Sequence, residues 1–429
     1  MTFMPMCKPL SYYCDDSALR FHILNVGEGL MVLLIFPDKK VMLFDCNVKE
    51  DNEEEIIGFL SKHIPFTYDA DSGEDKQLVN IFVNSHRDED HYRGLKKVHE
   101  KFPIQSIWDS GQTGASTQSS DYKYYMELRW RLKAKNANNL KVTVPTNKPI
   151  VTLGGVDIYC FAGKEDFIPE FENGVAIFEA ATKIQHTNAI VLQISYGGTA
   201  LLLTGDSDWK SWKEKIIPNF HAQVRSEILI ANHHGSRSFF TDEENDTIDI
   251  TKNPDTTYID SIKKISPDIV LIPCGNYETY HHPNKEAVKI YKEHSCNSQV
   301  YTTNKYGHLS GFIDRQGHYT VVPAYFSDQR TASSNLGANI VCTYEHNGQN
   351  LSVANGATLP IGGTLHFTLK THSGIVESLQ DVRVIWEVSN GGISSDSTHQ
   401  EIYSKGKDEA EGLFFFSRLL SYYRRKIVR

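Results

Sequence analysis

Four candidate metal ligands, His86, Asp88, Asp90 and His91, fall within six residues of the stretch Asn84-Ser85-His86-Arg87-Asp88-Glu89-Asp90-His91. Imidazole nitrogens mixed with carboxylate oxygens suit zinc, manganese or iron, whereas calcium sites use oxygen alone. Three further stretches of similar character follow: Gly205-Asp206, His233-His234-Gly235-Ser236 and His282-Pro283. His86, Asp88, Asp90, His91, Asp206 and a member of the His233/His234 pair then supply ligands for two divalent ions, Zn2+ or Mn2+. Asp206, arriving from a separate part of the chain, suits a bridging position. Two ions about 3.5–4 Å apart make a bridging hydroxide at neutral pH and stabilise the charge that develops during hydrolysis. Such chemistry gives Asp90 and His282 catalytic roles, His282 toward a leaving group or substrate phosphate, since histidine titrates near neutrality. Ser236 and His282 are the candidate substrate contacts. Asp45 could stand behind the ligands and orient a metal-bound histidine, or simply close a strand-end Asx turn.

The elements that must position these residues are legible in the apolar runs before them. Leu78–Val83, Thr199–Thr204 and Glu227–Asn232 each stop at potential ligands, and Val41–Phe44 stops at Asp45. Runs of that length read as buried strands that deliver side chains at their C-terminal ends. Tyr196-Gly197-Gly198 predicts a hairpin between Ala189–Ser195 and Thr199–Thr204. Helices are expected over 53–63, 92–101, 121–135, 209–217 and 286–294, and an acidic connection around Asp69–Asp75. The helix over 121–135 mixes basic and aromatic residues. It could offer stacking to single-stranded nucleic acid, but is more simply an amphipathic helix with Tyr, Met and Trp turned to a core. The acidic stretch 241–262 is expected to be a surface insertion or lid.

With 429 residues the chain can hold two domains. A net charge of -9 and a pI near 6.1 argue against a generally basic nucleic-acid coat and leave room for a local basic patch or a small nucleotide. Seven scattered cysteines without a C-x-x-C pair suit reduced thiols. No stretch approaches the roughly 20 apolar residues of a membrane span. These features predict a cytoplasmic protein with no transmembrane segment.

The ordered motifs resemble the metallo-β-lactamase-fold hydrolases of the ComEC type, known from DNA uptake. Asn25–Gly29, Leu43–Asp45, Ser85–His91, Leu203–Asp206, His233–Ser236 and His282-Pro283 carry the resemblance, over roughly residues 20–325. It implies an αββα sandwich of the α+β class, with metals at one edge between two sheets and the motif residues as ligands. It further implies cleavage of phosphodiesters in single-stranded DNA or small and cyclic nucleotides. Asp88 stands where most such hydrolases have a second histidine, which brings harder metals into play. The pattern's middle histidine has no match in this order; Asp109-Ser110-Gly111 takes about its place. At the front, Asn25, Glu28 and Leu30 replace the usual two acids and glutamine. The same metal centre could serve a lactone, thioester or other ester, and a degenerate site would leave a non-catalytic binding or effector protein.

Four segments are expected: a hydrolase domain over 1–325, a linker over 326–338, a small β-sandwich accessory domain over 339–400, and a basic, apolar tail over 401–429. Leu359-Pro360 and Trp386–Asn390 faintly resemble nucleotide-sensing C-terminal domains of bacterial second-messenger defence proteins. That implies a partner or ligand there. The tail could serve a membrane surface, a nucleic acid, a homodimer contact or a helix docked on its own domain.

Overall fold

The computed structural model describes residues 17–69, 72–111, 119–163, 185–243, 247–276 and 282–323, with the backbone of short strands within 171–176 and 338–424. The chain divides into two compact units, Cys14–Ala324 and a second made of Met1–Tyr13 with Tyr325–Arg429.

The larger unit is built of strands, those at the centre of each sheet continuous apolar runs buried on both faces, as a sheet covered on each side requires, and those at Leu140–Val142, Val151–Leu153 and Val300–Thr302 more exposed. In chain order they are β1 (Leu19–Ile23), β2 (Val32–Ile35), β3 (Val41–Phe44), β4 (Ile81–Val83), β5 (Ile107–Asp109) and β6 (Leu140–Val142). Next come β7 (Val151–Leu153), β8 (Val156–Ala162), β9 (Val191–Tyr196), β10 (Thr199–Leu203), β11 (Ile228–Ile230), β12 (Ile269–Ile272) and β13 (Val300–Thr302). Finally β14 (Leu309–Ile313) and β15 (Tyr319–Pro323) return to the first sheet. The sheets run β6-β5-β4-β3-β2-β1-β14-β15 and β7-β8-β9-β10-β11-β12-β13. Each joins an antiparallel part to a parallel part, with β3–β4–β5–β6 parallel in one and β10–β11–β12–β13 parallel in the other.

Three apolar layers hold this together. Between the sheets, Phe21, Val32, Met42, Phe44 and Val83 share one core with Ile158, Leu192, Leu201, Leu203, Ile230 and Leu271. On the outer face of the first sheet, Leu33, Leu43 and Phe82 pack with Phe59 and Leu60 of α1 (Glu53–His63), Leu95 and Val98 of α2 (Leu95–Lys101) and Leu128 of α3 (Ser120–Lys135). On the outer face of the second, Leu202, Leu229 and Val270 pack with Trp212 and Ile216 of α4 (residues 209–220), Ile262 of α5 (Asp260–Ile265) and Tyr291 of α6 (Lys285–His294). Two sheets face to face with helices outside each make the expected αββα sandwich.

The hairpin between β9 and β10 turns on Gly197 (φ 60°) and Gly198 (φ 89°), a backbone that two glycines supply without strain. Two local readings change. The acidic connection after α1 is a hairpin, Phe66–Asp69 against Glu74–Gln77. In α3, Trp130 faces solvent, 55% exposed with Lys133 Nζ over its ring, while Arg129 turns inward. The buried carboxylate of Asp109 explains the reversal: Arg129 Nε donates to Asp109 Oδ2 at 2.5 Å.

In the smaller unit, strand Ala338–His346 pairs antiparallel with Gln349–Ser352 and Thr364–Thr371, and the latter pairs with Glu409–Phe415. Arg383–Ser389 pairs with Ser397–Tyr403 and Tyr423–Arg424. Parts of the stretch 401–429 therefore join sheets. Leu359-Pro360 and most of the linker lie outside the described residues.

Candidate metal centre

The site forms along one edge of the sandwich, where the parallel strands of both sheets end. β3 ends at Asp45, β4 leads into 84–91, β10 leads into Gly205-Asp206 and β11 into Asn232–Ser236. The turns are sharp. Asp45 has φ 59°, and the consecutive His233 (φ 44°) and His234 (φ 53°) both occupy the left-handed region. Non-glycine residues rarely accept that backbone, and such departures concentrate at functional sites. Gly205, at φ 52°, brings the end of β10 against the β4 loop. A Cβ there would lie 2.9 Å from Ser85 Cβ.

Asp206 Oδ2 is the hub. It lies 3.3 Å from His91 Nε2, 3.5 Å from His233 Nε2 and from His234 Nε2, and 3.9 Å from His86 Nε2. On one side of the hub Asp88 Oδ2 sits 3.3 Å from His86 Nε2 and 2.9 Å from His186 Nε2. On the other, Asp90 Oδ2 sits 3.7 Å from His91 Nε2 and 3.5 Å from His234 Nε2. Ligand atoms of His86, Asp88 and His186, of His86, His91 and Asp206, of Asp90, His91 and His234, and of His186, Asp206 and His233 each fall within 4.8 Å of one another.

The backs of the rings are tied down. His91 Nδ1 donates to Asp45 Oδ2 at 2.7 Å, and Asp45 also accepts the Ser85 amide and hydroxyl at 2.7 and 2.6 Å. The Ser85 hydroxyl, its proton given to Asp45, accepts from His86 Nδ1 at 3.0 Å. His234 Nδ1 donates to the Pro273 carbonyl at 3.2 Å, and His233 Nδ1 meets Ser238 Oγ at 3.1 Å. Four rings are thus oriented through Nδ1, leaving Nε2 toward the centre, as metal-bound histidines usually are. Asp45 lies behind His91, on the side away from the centre.

Electrostatics follow from that packing. Burial pushes the Asp206 carboxyl up, but the imidazoles of His91, His233 and His234 outweigh it and hold the group well below the usual carboxylate range. Burial likewise opposes ionisation of Asp88 and Asp90, and His186 with His86, or His91 with His234, reverses the effect. Burial depresses His91, and the carboxylates of Asp206, Asp45 and Asp90 raise it well above the ordinary imidazole value. His282 is pushed down to about 4 by burial and then by His234, its ring centre 5.3 Å from that of His233.

A divalent metal fits this donor set. His91 Nε2, His234 Nε2 and Asp206 Oδ1 are buried without a hydrogen-bond partner among the described residues, a costly state for such polar atoms. Positive charge between them would satisfy all three at once.

Of the residues expected from sequence, His86, Asp88, Asp90, His91, Asp206, His233 and His234 come together, with His282 beside them. Ser236 is buried, and its hydroxyl accepts the Ser238 amide at 3.2 Å. The position assigned to Asp109-Ser110-Gly111 is corrected. Asp109 is absent from the clusters of potential ligands among the described residues. It accepts from Arg129 and, at 3.0 Å, from the Tyr125 hydroxyl. The histidine that joins the cluster from elsewhere is His186, in a short turn, Gln185–Thr187, just before β9. Gln185 Nε2 donates to Asp88 Oδ1, and Thr187 Oγ1 donates to Asp208 at 2.6 Å. His186 precedes its apolar run, whereas the other ligand candidates follow theirs. β9 runs antiparallel to β10, so the start of β9 shares an edge with the end of β10, Leu192 facing Leu203.

An αββα sandwich with a histidine–aspartate cluster at one edge of its sheets has the metallo-β-lactamase architecture, and the chain resembles the hydrolases of that fold of the ComEC type. A stretch of 151 residues is 23% identical to ComE operon protein 3 of Bacillus subtilis (strain 168). The match covers 35% of this chain and 17% of that protein, so the chain spans a minor part of its relative. Among solved structures, the metallo hydrolase Igni18 of the archaeon Ignicoccus hospitalis is similar at TM-score 0.37 and 10% identity, over 71% of this chain and 98% of that one. A metal-dependent hydrolase of the β-lactamase superfamily is similar at TM-score 0.37 and 14% identity, over 71% and 99%. No family model matches the chain.

Proposed function

We propose that the chain is a hydrolase of phosphodiesters that works with two divalent ions, Zn2+ or Mn2+. The reading rests first on the hub at Asp206, where five histidine Nε2 atoms and three carboxylates converge from both sheets. His86, Asp88 and His186 would hold one ion and Asp90, His91 and His234 the other, with Asp206 shared and His233 beside the first. Two ions held there supply Lewis acidity and activate water at neutral pH. The choice of a phosphodiester follows from the ComEC-type resemblance and from three carboxylates, which favour hard ions and hard phosphate oxygens.

The chain's own contribution is orientation. Asp45 and Ser85 fix His91 and His86, Pro273 fixes His234, and Gln185 fixes Asp88. Asp90, 3.7 Å from His91 Nε2 and 3.5 Å from His234 Nε2, would double as a ligand and as a carboxylate suited to hold an attacking water in line. His282, at the rim beside His233, is placed to contact a substrate oxygen or the leaving group.

The test is to strip the purified protein of metal, reload it with manganese or zinc, and assay single-stranded DNA, cyclic dinucleotides and a simple lactone. Metal-dependent phosphodiester cleavage, lost in Asp206→Ala and reduced at least about 100-fold in His186→Ala, is expected. Lactone cleavage without phosphodiester cleavage would assign the centre to esters. Failure to retain metal would end the enzymatic reading.

A further inference from the structure

His186 reaches the cluster from a short turn rather than from the end of a strand, and the loop after β10 fixes that turn. Thr187 Oγ1, buried, donates to Asp208 Oδ2 at 2.6 Å. The other oxygen, Asp208 Oδ1, accepts the Ser211 amide at 2.9 Å, so Asp208 caps the start of α4. Beside it the Ser207 hydroxyl accepts from Trp212 Nε1 at 2.9 Å and from Asn232 Nδ2 at 2.7 Å, all three side chains being buried. Asp208 is thus held by α4 on one side and by the β11 loop, through Ser207, on the other. Both of its oxygens are engaged, and it stands outside the ligand groups that Asp206, two residues earlier, joins.

The turn has a second hold on the other side of His186. Gln185 Nε2 donates to Asp88 Oδ1, and Gln185 Oε1 accepts Arg87 Nε at 3.3 Å. That contact runs to a candidate ligand, whereas neither Thr187 nor Asp208 is one. The place of His186 in the cluster is also one-sided. It shares a ligand group with His86 and Asp88 and another with Asp206 and His233, and it shares none with His91 or His234. A displaced turn is therefore felt on one side of Asp206 only.

We infer that Thr187 and Asp208 are positioning residues whose hydrogen bond holds His186 in reach of one ion and so sets the affinity of that ion separately from the other. The inference rests on the two-ion reading and deepens it. Neither residue touches an ion or the substrate; both act through His186. The ion among His86, Asp88 and His186 depends on the bond, and the ion among Asp90, His91 and His234 does not.

The experiment titrates zinc into the metal-free full chain by calorimetry and measures urea midpoints alongside, so that lost folding is not read as lost metal. Thr187→Val keeps the shape and removes the donor, Thr187→Ser keeps the donor, and Asp208→Ala removes the acceptor. We expect two ions in the wild type. In Thr187→Val one of them should bind about 10- to 100-fold more weakly and the other within about twofold of wild type. Thr187→Ser should recover both affinities to within about threefold. Asp208→Ala should weaken the same ion, and combining it with Thr187→Val should add little, since the two changes break one bond. Equal weakening of both ions, or of neither, in Thr187→Val and Asp208→Ala overturns the role of the pair and leaves the phosphodiesterase reading to its own assay. Selective weakening in a chain that cleaves no phosphodiester upholds the pair and removes that reading. A wild type that takes up a single ion overturns this inference together with the two-ion centre.

Discussion

Each half of the sandwich lays down three antiparallel strands and then three parallel ones, but the two halves load the shared edge differently. In the first, β1–β2–β3 precede β4, β5 and β6; in the second, β8–β9–β10 precede β11, β12 and β13. The residue leaving the third strand needs a left-handed backbone in both. Asp45 fills that role in the first half, with φ 59°, and Gly205 in the second, with φ 52°. The consequence is a division of labour between carboxylates. Asp45 turns back to grip Ser85 and His91, whereas the glycine lets Asp206 step forward to the centre. The strands one place further out differ as well. β5 ends in Asp109, neutralised by Arg129, and β12 ends near Cys274, whose amide meets Thr303 Oγ1 at 2.8 Å. Equivalent scaffold positions thus reach the cluster, hold its histidines from behind or stay structural according to what faces them.

The largest expected effect contrasts the two third-strand carboxylates. On the proposed two-ion assignment, Asp206→Ala should lower activity by more than about 1,000-fold and drop bound metal below two ions per chain by elemental analysis, because both ions would lose their shared ligand. A variant retaining two ions would break the assignment of Asp206 as the hub.

Next comes the fifth strand. Asp109→Ala leaves Arg129 buried without its carboxylate and should cost about 3–5 kcal/mol in urea unfolding. Cys274→Ala, its counterpart, should cost only about 1–2 kcal/mol, mainly lost packing. Equal costs would mean that the two strand ends are interchangeable after all. Metal content in folded Asp109→Ala should stay unchanged, which separates Asp109 from the ligands.

A smaller effect is expected from Asp45→Asn. The amide keeps the shape but loses the charge that favours the His91 Nδ1 proton. Metal affinity should fall about 10- to 100-fold, read by competition with a chelator. A loss as deep as that of Asp206→Ala would put Asp45 among the ligands.

The smallest concerns the outer layers. On the first half, His22 is buried beside His63, which in turn stacks on Phe59 of α1. The second half packs Trp212, Phe239 and Tyr291 instead. Burial, then the charges of His63, Arg20 and His308, lowers His22 well below the ordinary imidazole value. The unfolded state therefore binds the proton more readily, and stability present above about pH 6.5 is lost as the pH falls below it. From pH 7.5 to 5.5 the cost should be on the order of 1 kcal/mol. His22→Asn should flatten that part of the urea-midpoint profile, whereas an unchanged slope would locate the acid sensitivity elsewhere.

By itself the sequence determined the buried strands and most of the edge cluster. Apolar runs too short for helices and abruptly stopped by His or Asp leave little choice: the apolar part must be covered on both faces, and the polar part must leave the sheet. The paired glycines at 197–198 likewise specify their hairpin. Only the tertiary structure decided what happens where chain direction and partner matter. His186 precedes its strand, and antiparallel pairing of β9 with β10 is what carries it to the ligand edge. Arg129 and Trp130 exchange their expected environments because a carboxylate from β5, twenty residues earlier in the chain, needs a buried cation. Asp45 and Asp206 look alike in sequence, each a carboxylate at the end of an apolar run. Which one turns back to hold His91 and which one reaches the centre is set by a single left-handed residue placed at the carboxylate itself or one position before it.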